Sequence, residues 1–281
     1  MTMSWLLAHG RRLELGDRAV VMGVLNITPD SFSDGGRYAR IDAALAQARR
    51  MLDQGAAIID VGGESTRPDA AVVTPEEEQA RVLPVIRELA SWPDAVISID
   101  TYHADTARLA VAAGAHIVND VCGLQREPQI ARLAAETGAG LVVMHTGRDR
   151  QPLPDVIDDQ WAFLGRSVDI AADAGVNPAQ IVLDPGFGFG KDVEDNLQLM
   201  ARFNELVGHP RPWLVGTSRK RFVGSVTGRD VADRRDAGTA ATSVILRLAG
   251  ASVFRVHDVA SNVDALAFAD AMLARGMKAQ R

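Results

Sequence analysis

Ile181-Val-Leu-Asp-Pro-Gly-Phe-Gly-Phe-Gly-Lys191 is the stretch from which the fold can be read. Three apolar residues make a short run suited to a buried strand, and Asp184 ends it. Pro185 and the glycines at 186, 188 and 190 then demand a tight loop, and a polar, helix-like segment follows. A carboxylate at the carboxyl end of a buried strand, on a backbone with little freedom to move it, stands where α/β enzymes place their chemistry.

The same pattern recurs on either side. Gln54-Gly-Ala-Ala-Ile-Ile-Asp60 is echoed by Ala113-Gly-Ala-His-Ile-Val-Asn119, Thr137-Gly-Ala-Gly-Leu-Val-Val143 and Ala249-Gly-Ala-Ser-Val-Phe-Arg255, with a looser copy from Ala174 into Ile181. In each, a glycine follows an alanine-rich helical segment and suits the left-handed position that closes a helix. The apolar run after it reads as a buried parallel strand.

The spacing predicts strands at 20–25, 57–61, 96–99, 115–118, 141–144, 181–183, 214–216 and 253–256. Helical patterns lie between them, among them 42–52, 75–90, 106–113, 160–174, 193–203, 237–249 and 262–275. The strands end in Asn26, Asp60, Asp100, Asn119, His145, Asp184, Ser218 and Arg255. Their mean separation is about 33 residues, the unit length of eight βα units in roughly 250 residues, so a single (β/α)8 TIM barrel is expected. A doubly wound open sheet is the alternative, disfavoured because no Gly-x-Gly-x-x-Gly opens the first unit. No linker interrupts the pattern, so one domain over 1–281 is expected, with residues 4–18 forming a short N-terminal hairpin or cap across the barrel's amino end. Two long polar connections, 27–39 and 62–74, would emerge at the carboxyl face as binding loops.

Composition narrows the function. A net charge of −6 argues against a chain devoted to nucleic acid or an anionic membrane. The one cysteine, Cys122, cannot form an internal disulfide, which fits a reducing cytoplasm, and six dispersed histidines argue against structural zinc. The apolar run 5–8 is too short for a secretion signal, and no run approaches 18 apolar residues. A cytoplasmic chain with small-molecule partners is expected.

Asp100, Asn119 and Asp184 end three different strands, so a barrel would converge them on one pocket. Acceptor carboxylates and a donor–acceptor amide could together read the edge of a flat heterocycle with a guanidine-like donor pair; capping the next helix is the plainer role for any one of them. In Val215-Gly-Thr-Ser-Arg-Lys-Arg-Phe-Val-Gly224, capping a helix is the plainer role for Ser218, but a capped helix start beside three cations is also a site for a carboxylate or phosphate. Its place at the end of a strand favours function for Ser218 and Lys220. Arg221 reads as surface. In Arg255-Val-His257-Asp258 the alternation of a strand points Arg255 and His257 the same way, which suits a diphosphate. The competing reading pairs Arg255 with Asp258. Asn26 offers a hard oxygen to Mg²⁺, a cation that takes few protein ligands.

Taken together and in order, Val24-Leu-Asn-Ile-Thr-Pro-Asp-Ser-Phe-Ser-Asp-Gly-Gly36, Asp60-Val-Gly-Gly-Glu-Ser-Thr-Arg-Pro68, Ile99-Asp-Thr101, Val118-Asn-Asp-Val121, the 184–191 loop, Ser218-Arg-Lys220 and Arg255-Val-His-Asp258 resemble the dihydropteroate synthases of folate biosynthesis. The resemblance implies a transferase that condenses a dihydropterin-methyl diphosphate with 4-aminobenzoate, with Mg²⁺ as cofactor and a homodimer as the assembly. It further implies that Asp100, Asn119, Met144, Asp184 and Lys220 bind the pterin, with Asp100, Asp184 and Lys220 catalytic. Asn26, Arg255 and His257 would hold the diphosphate, Asn26 also meeting the metal. Phe32, Thr66, Arg67, Pro68, Phe189 and Ser218 would form the aminobenzoate site, with Asp34 also from the first long loop. One run departs from the family pattern, Met144-His-Thr-Gly-Arg-Asp-Arg-Gln-Pro152, and residues 146–151 receive no role. A pterin-binding methyltransferase is the enzymatic alternative, though it would lack the Ser-Thr-Arg-Pro and Ser-Arg-Lys segments together. A pterin-binding paralogue without turnover is the alternative of another class.

Overall fold

Eight parallel strands form the centre of the molecule: β3 (Val20–Asn26), β4 (Ile58–Gly62), β5 (Val96–Asp100), β6 (Ile117–Asp120), β7 (Gly140–Met144), β8 (Ile181–Asp184), β9 (Leu214–Val215) and β10 (Val253–Val256). Their hydrogen-bonded order is β8-β7-β6-β5-β4-β3-β10-β9. The ring closes through a parallel bridge between Leu183 and Trp213, with Leu183 N donating to Pro212 O at 3.0 Å. This computed structural model describes residues 3–27, 37–64 (37–39 as backbone alone), 73–208 and 210–276.

Helices alternate with the strands: α1 (Arg37–Asp53), α2 (Pro75–Leu89), α3 (Ala104–Ala112), α4 (Gln129–Thr137), α5 (Val156–Asp173), α6 (Val193–Ala201), α7 (Asn204–Val207), α8 (Arg221–Thr227), α9 (Asp236–Leu248) and α10 (Val259–Ala274). Several starts have local causes. Thr74 caps α2, Asp155 caps α5 and Asp192 forms a capping box on α6. The repeated glycines at 55, 114, 138, 175 and 250 all take positive φ where a helix hands over to a strand, as the repeat required. The short helix α4, which the sequence pattern does not single out, begins without a side-chain cap, as does α8.

The apolar side chains of the strands separate by parity. Ile59, Val61, Ile97, Ile99, Val118, Leu141, Val143, Ile181, Leu183, Val215 and Phe254 belong to the outer core under the helices. Met22, Ile58, Val96, Ile117, Val142, Val182, Leu214 and Val253 belong to a second, inner cluster. Successive residues of a strand face opposite sides, so these are the two faces of the barrel wall.

The inner cluster is sealed from below. Strands β1 (Met3–Leu6) and β2 (Arg12–Leu15) pair antiparallel as the expected hairpin, and Trp5, Leu7 and Leu15 pack onto the inner cluster. Trp5 is 1% exposed and its Nε1 donates to Gln180 O at 2.7 Å. With its amino end stoppered, the lumen opens only toward the carboxyl ends of the strands.

Candidate active site

Parity carries directly into the site. Two residues above the inner apolar layer, on the same face, come Asp60 after Ile58, Asn119 after Ile117, Met144 after Val142, Asp184 after Val182 and Arg255 after Val253. Four above Met22 and Val96 come Asn26 and Asp100. The register strings Asn26, Gly62, Asp100 and Asn119 side by side across β3–β6. Seven polar or sulfur-bearing residues therefore face one lumen because period-2 strands surround it.

Arg255 organises the floor of this pocket. Its Nε donates to Asp60 Oδ2 at 2.6 Å and its Nη2 to Asp100 Oδ2 at 2.5 Å. Asn119 Nδ2 donates to the same Asp60 oxygen at 3.3 Å. Asp258 is not the partner of Arg255; it caps α10 through Ser261 N. Burial works against the Arg255 charge, but Asp60 and Asp100 more than offset it, so its pKa moves up. Asp100 is raised above the usual carboxylate range, since burial and the neighbouring acids outweigh Arg255. The second oxygen of Asp60, Oδ1, is buried with no hydrogen-bond partner. An orphaned acceptor beside an amide and two further acids asks for a donor from a ligand.

The β8 loop forms the next wall. Asp184 Oδ1 accepts from Gly186 N at 2.7 Å, which fixes the carboxylate at the end of β8. Gly186 has φ +64 and a Cβ there would lie 1.8 Å from His145 O, so no other residue fits. Lys220 Nζ donates to Phe187 O and sits 4.7 Å from the centre of the Phe189 ring. Burial lowers the Lys220 pKa to about 7, against the pull of Asp184. Burial raises Asp184, opposed first by Lys220. The pair thus shares a low-dielectric site in which each stabilises the other's charge.

Ser218 does not cap a helix: α8 starts at Arg221, and Ser218 Oγ instead meets His257 Nδ1 at 2.9 Å and accepts from His257 N at 3.1 Å. Arg219 is locked to Asp236 by two 2.7 Å bonds. Of the run 219–220, then, only Lys220 turns to the pocket. Asn26 Oδ1 and Asp100 Oδ2 lie 3.6 and 3.7 Å from the point where a Cβ on Gly62 would sit, so the amide oxygen opens onto the Asp100 end of the floor. Met144 is buried beside Gly186.

Phe32, Asp34, Thr66, Arg67 and Pro68 lie outside the described residues. His145, a strand terminator by sequence, is turned to the other side of the wall. It holds Asp159 at 2.9 Å and Lys191 Nζ at 2.8 Å, and burial lowers it to about 4. Asp60 is the floor residue to which sequence reasoning attached no role, although it ends a strand at the same height as its neighbours. Chemically, the site offers a row of carboxylate acceptors and two amides, Asn119 and Asn26, along the floor, with cations from Arg255 and Lys220. Acceptors and amides of this kind can pair with the polar edge of a flat ring, and the two cations can pair with an anion.

Comparison with known proteins agrees with this chemistry. The family model for pterin binding enzymes matches residues 22–257. Dihydropteroate synthase of Bacillus subtilis (strain 168) is 44% identical over 264 residues, covering 94% of this chain and 92% of that protein. That of Clostridium beijerinckii is 42% identical over 266 residues, covering 94% and 98%. Among solved structures, Xanthomonas albilineans dihydropteroate synthase with 4-aminobenzoic acid superposes with a TM-score of 0.91 at 42% identity, covering 97% of this chain and 99% of that one. The same organism's enzyme in complex with 7,8-dihydropteroate gives 0.86 at 39% identity, covering 96% and 99%.

Proposed function

The chain belongs to the dihydropteroate synthase family of pterin-binding enzymes, and from that premise we propose how its own residues carry the reaction. It condenses 6-hydroxymethyl-7,8-dihydropterin diphosphate with 4-aminobenzoate, giving 7,8-dihydropteroate and diphosphate in folate biosynthesis. The observation that carries the assignment of roles is the Asn119–Asp60–Arg255–Asp100 floor beside Asp184 and Lys220.

In this reading Asp100, Asn119 and Asp184 bind the 2-amino and ring-nitrogen edge of the pterin, over Met144 and under Lys220. Asp60 joins them, its orphaned Oδ1 being a further acceptor for that edge. A guanidinium has five donors, so two bonds to carboxylates leave others for a diphosphate oxygen. Arg255 thereby ties the pterin floor to the leaving group, with His257 and Asn26 beside it. Phe189 and Ser218 take the aminobenzoate, with Phe32, Thr66, Arg67 and Pro68 from the two long loops.

The bond from the pterin methylene carbon to the diphosphate oxygen breaks, and the electron pair leaves with diphosphate. Positive charge on the methylene spreads into the ring, where Asp100 and Asp184 are the nearest counter-charges. The arylamine nitrogen then forms the new C–N bond and releases a proton. No covalent enzyme intermediate is required; positioning and preorganised charge supply the rate.

Mg²⁺ fits the residues present. Among the described residues no group of three or more His, Cys, Asp or Glu is arranged to hold a metal by itself. The neutral Asn26 oxygen near Asp100 is a hard donor of the kind that leaves Mg²⁺ free to bind substrate phosphates and water. Bound there, Mg²⁺ would neutralise charge on the departing diphosphate.

We place the protein in the cytoplasm as a homodimer. Among the described residues no helix is long and apolar enough to cross a membrane. Ile245 on α9 and Phe268 and Met272 on α10 are 50%, 79% and 41% exposed, an apolar set that a second copy would cover. The function is tested by a coupled assay for released diphosphate. Release must need both substrates; release that ignores aminobenzoate, or none at all, would refute it.

A further inference from the structure

Residues 146–151, which receive no role from the sequence, are built into the wall of the site. Gly147 N donates to Phe189 O at 3.0 Å, and a Cβ on Gly190 would lie 2.5 Å from the Gly147 carbonyl carbon. The two backbones therefore touch. Arg150 pins the other end of the loop, with Nη1 and Nη2 on Asp159 at 2.8 and 2.5 Å and Nε on Thr146 O at 2.7 Å. Arg148 N donates to Thr146 Oγ1 at 3.1 Å. A loop held at so many points carries the Arg148 side chain to a defined place. The Arg148 guanidinium carbon lies 4.4 Å from the centre of the Phe189 ring, the same ring that Lys220 approaches.

We propose that Arg148 is a positioning residue for the arylamine substrate: stacked on Phe189, it fixes the ring against which aminobenzoate is held. This rests on the assignment of Phe189 to the aminobenzoate subsite. A guanidinium is planar and weakly hydrated, so it can lie flat on an aromatic face where an ammonium cannot. A phenyl ring clamped in one rotamer costs a docking ring less ordering than a free one. Phe189 is only 8% exposed and its loop is also tied through Gly188 N to Asn196 Oδ1 at 2.7 Å, so the backbone under the ring is held independently of Arg148. The 146–151 loop is thus a local means of tuning the aminobenzoate site through the Phe189 ring.

The test uses the whole protein and three single variants, R148M, R148K and F189L, with the double variant R148M/F189L. KM for each substrate, kcat and the thermal midpoint are measured. R148M should raise KM for aminobenzoate roughly three- to tenfold, the worth of a partly desolvated cation–π contact. R148K, which keeps the charge but loses the flat guanidinium face, should raise it by less but measurably. KM for the pterin diphosphate and kcat should stay within about twofold, because the lost interaction is made before and during the chemical step alike. The double variant should be no worse than F189L, since both changes remove one interaction. An R148K variant that behaves as wild type would overturn the stacking role. So would a fall in thermal midpoint and kcat with both KM values unchanged, which is what mere packing predicts. If F189L raises the aminobenzoate KM while R148M and R148K do not, only the Arg148 proposal fails. If F189L itself leaves that KM unchanged, the subsite assignment fails with it.

Discussion

Arg255 and Asp100, 155 residues apart in the chain, meet at 2.5 Å across the barrel lumen, with Asp60 2.6 Å from the same guanidinium. The arrangement is a buried charge cluster, and such clusters are costly to break from one side. Removing one partner of a buried pair destabilises by about 3–5 kcal/mol, because the other charge is left uncompensated. Arg255→Met should therefore lower both stability, read by denaturant unfolding, and turnover. Arg255→Lys keeps the charge but loses the fork that spans two carboxylates, and should restore less than about a tenth of the lost activity. Full activity in the lysine variant would show that the fork is not used.

Asp184→Asn removes the charge that faces Lys220 and, in the proposed reading, the pterin, while keeping the side chain's shape. Its Oδ1 bond to Gly186 N can be kept by the amide oxygen. We expect kcat/KM for the pterin substrate to fall by about 10² or more, as for loss of a preorganised group at the reacting centre. The thermal midpoint should fall as well, because the buried Lys220 loses its counter-charge, but kcat/KM should remain depressed where the variant is fully folded. Turnover equal to wild type would remove Asp184 from the pterin site.

Lys220 sets a pH dependence. Its pKa falls from 10.5 to about 7 through burial, so the pocket loses a cation as the pH rises through about 7. The kcat/KM for the pterin diphosphate should decline on that alkaline side, since kcat/KM reports the free enzyme. Lys220→Arg, which stays charged, should move the decline to higher pH. Lys191, also brought to about 7, touches His145 and Gly186 instead, so an unmoved limb in Lys220→Arg would point there. Stability follows the opposite course. The folded form binds fewer protons than the unfolded form between about 7 and 10.5, so the contribution of this group is full above that window and lost as the pH falls through it.

Trp5→Ala removes the stopper at the amino end and the bond from Nε1 to Gln180 O. A buried tryptophan lost to alanine costs about 3–5 kcal/mol. The effect should appear in unfolding, with kcat nearly unchanged where the protein remains folded, because the site lies at the other end of the lumen. A large loss of kcat in folded protein would contradict that separation.

Asn26→Ala should raise the Mg²⁺ concentration needed for half-maximal rate, with saturating Mg²⁺ restoring part of the activity. An unchanged requirement would exclude the amide from the metal site.

Much of this molecule is local enough to be legible in one dimension. Short apolar runs, a glycine closing each preceding helix and a polar residue ending each strand are set by steric and burial preferences of neighbours. They name Asn26, Asp100, Asn119, Asp184 and Arg255 without any knowledge of contacts. Strand parity is equally local, and it alone points those residues to one side. What the linear pattern leaves open is partnership. Arg255 has an acid three residues away in Asp258, yet it pairs with Asp60 and Asp100, because closing the ring places β10 beside β3 and turns all three groups inward. Ser218 bonds His257 and not a helix end, and His145 turns outward to Asp159 and Lys191. Arg148 reaches Phe189 only because two glycines let their loops touch. The amino-acid order by itself thus determined which groups stand at the barrel's mouth. The closed register of eight strands, a long-range property, decided which of them meet.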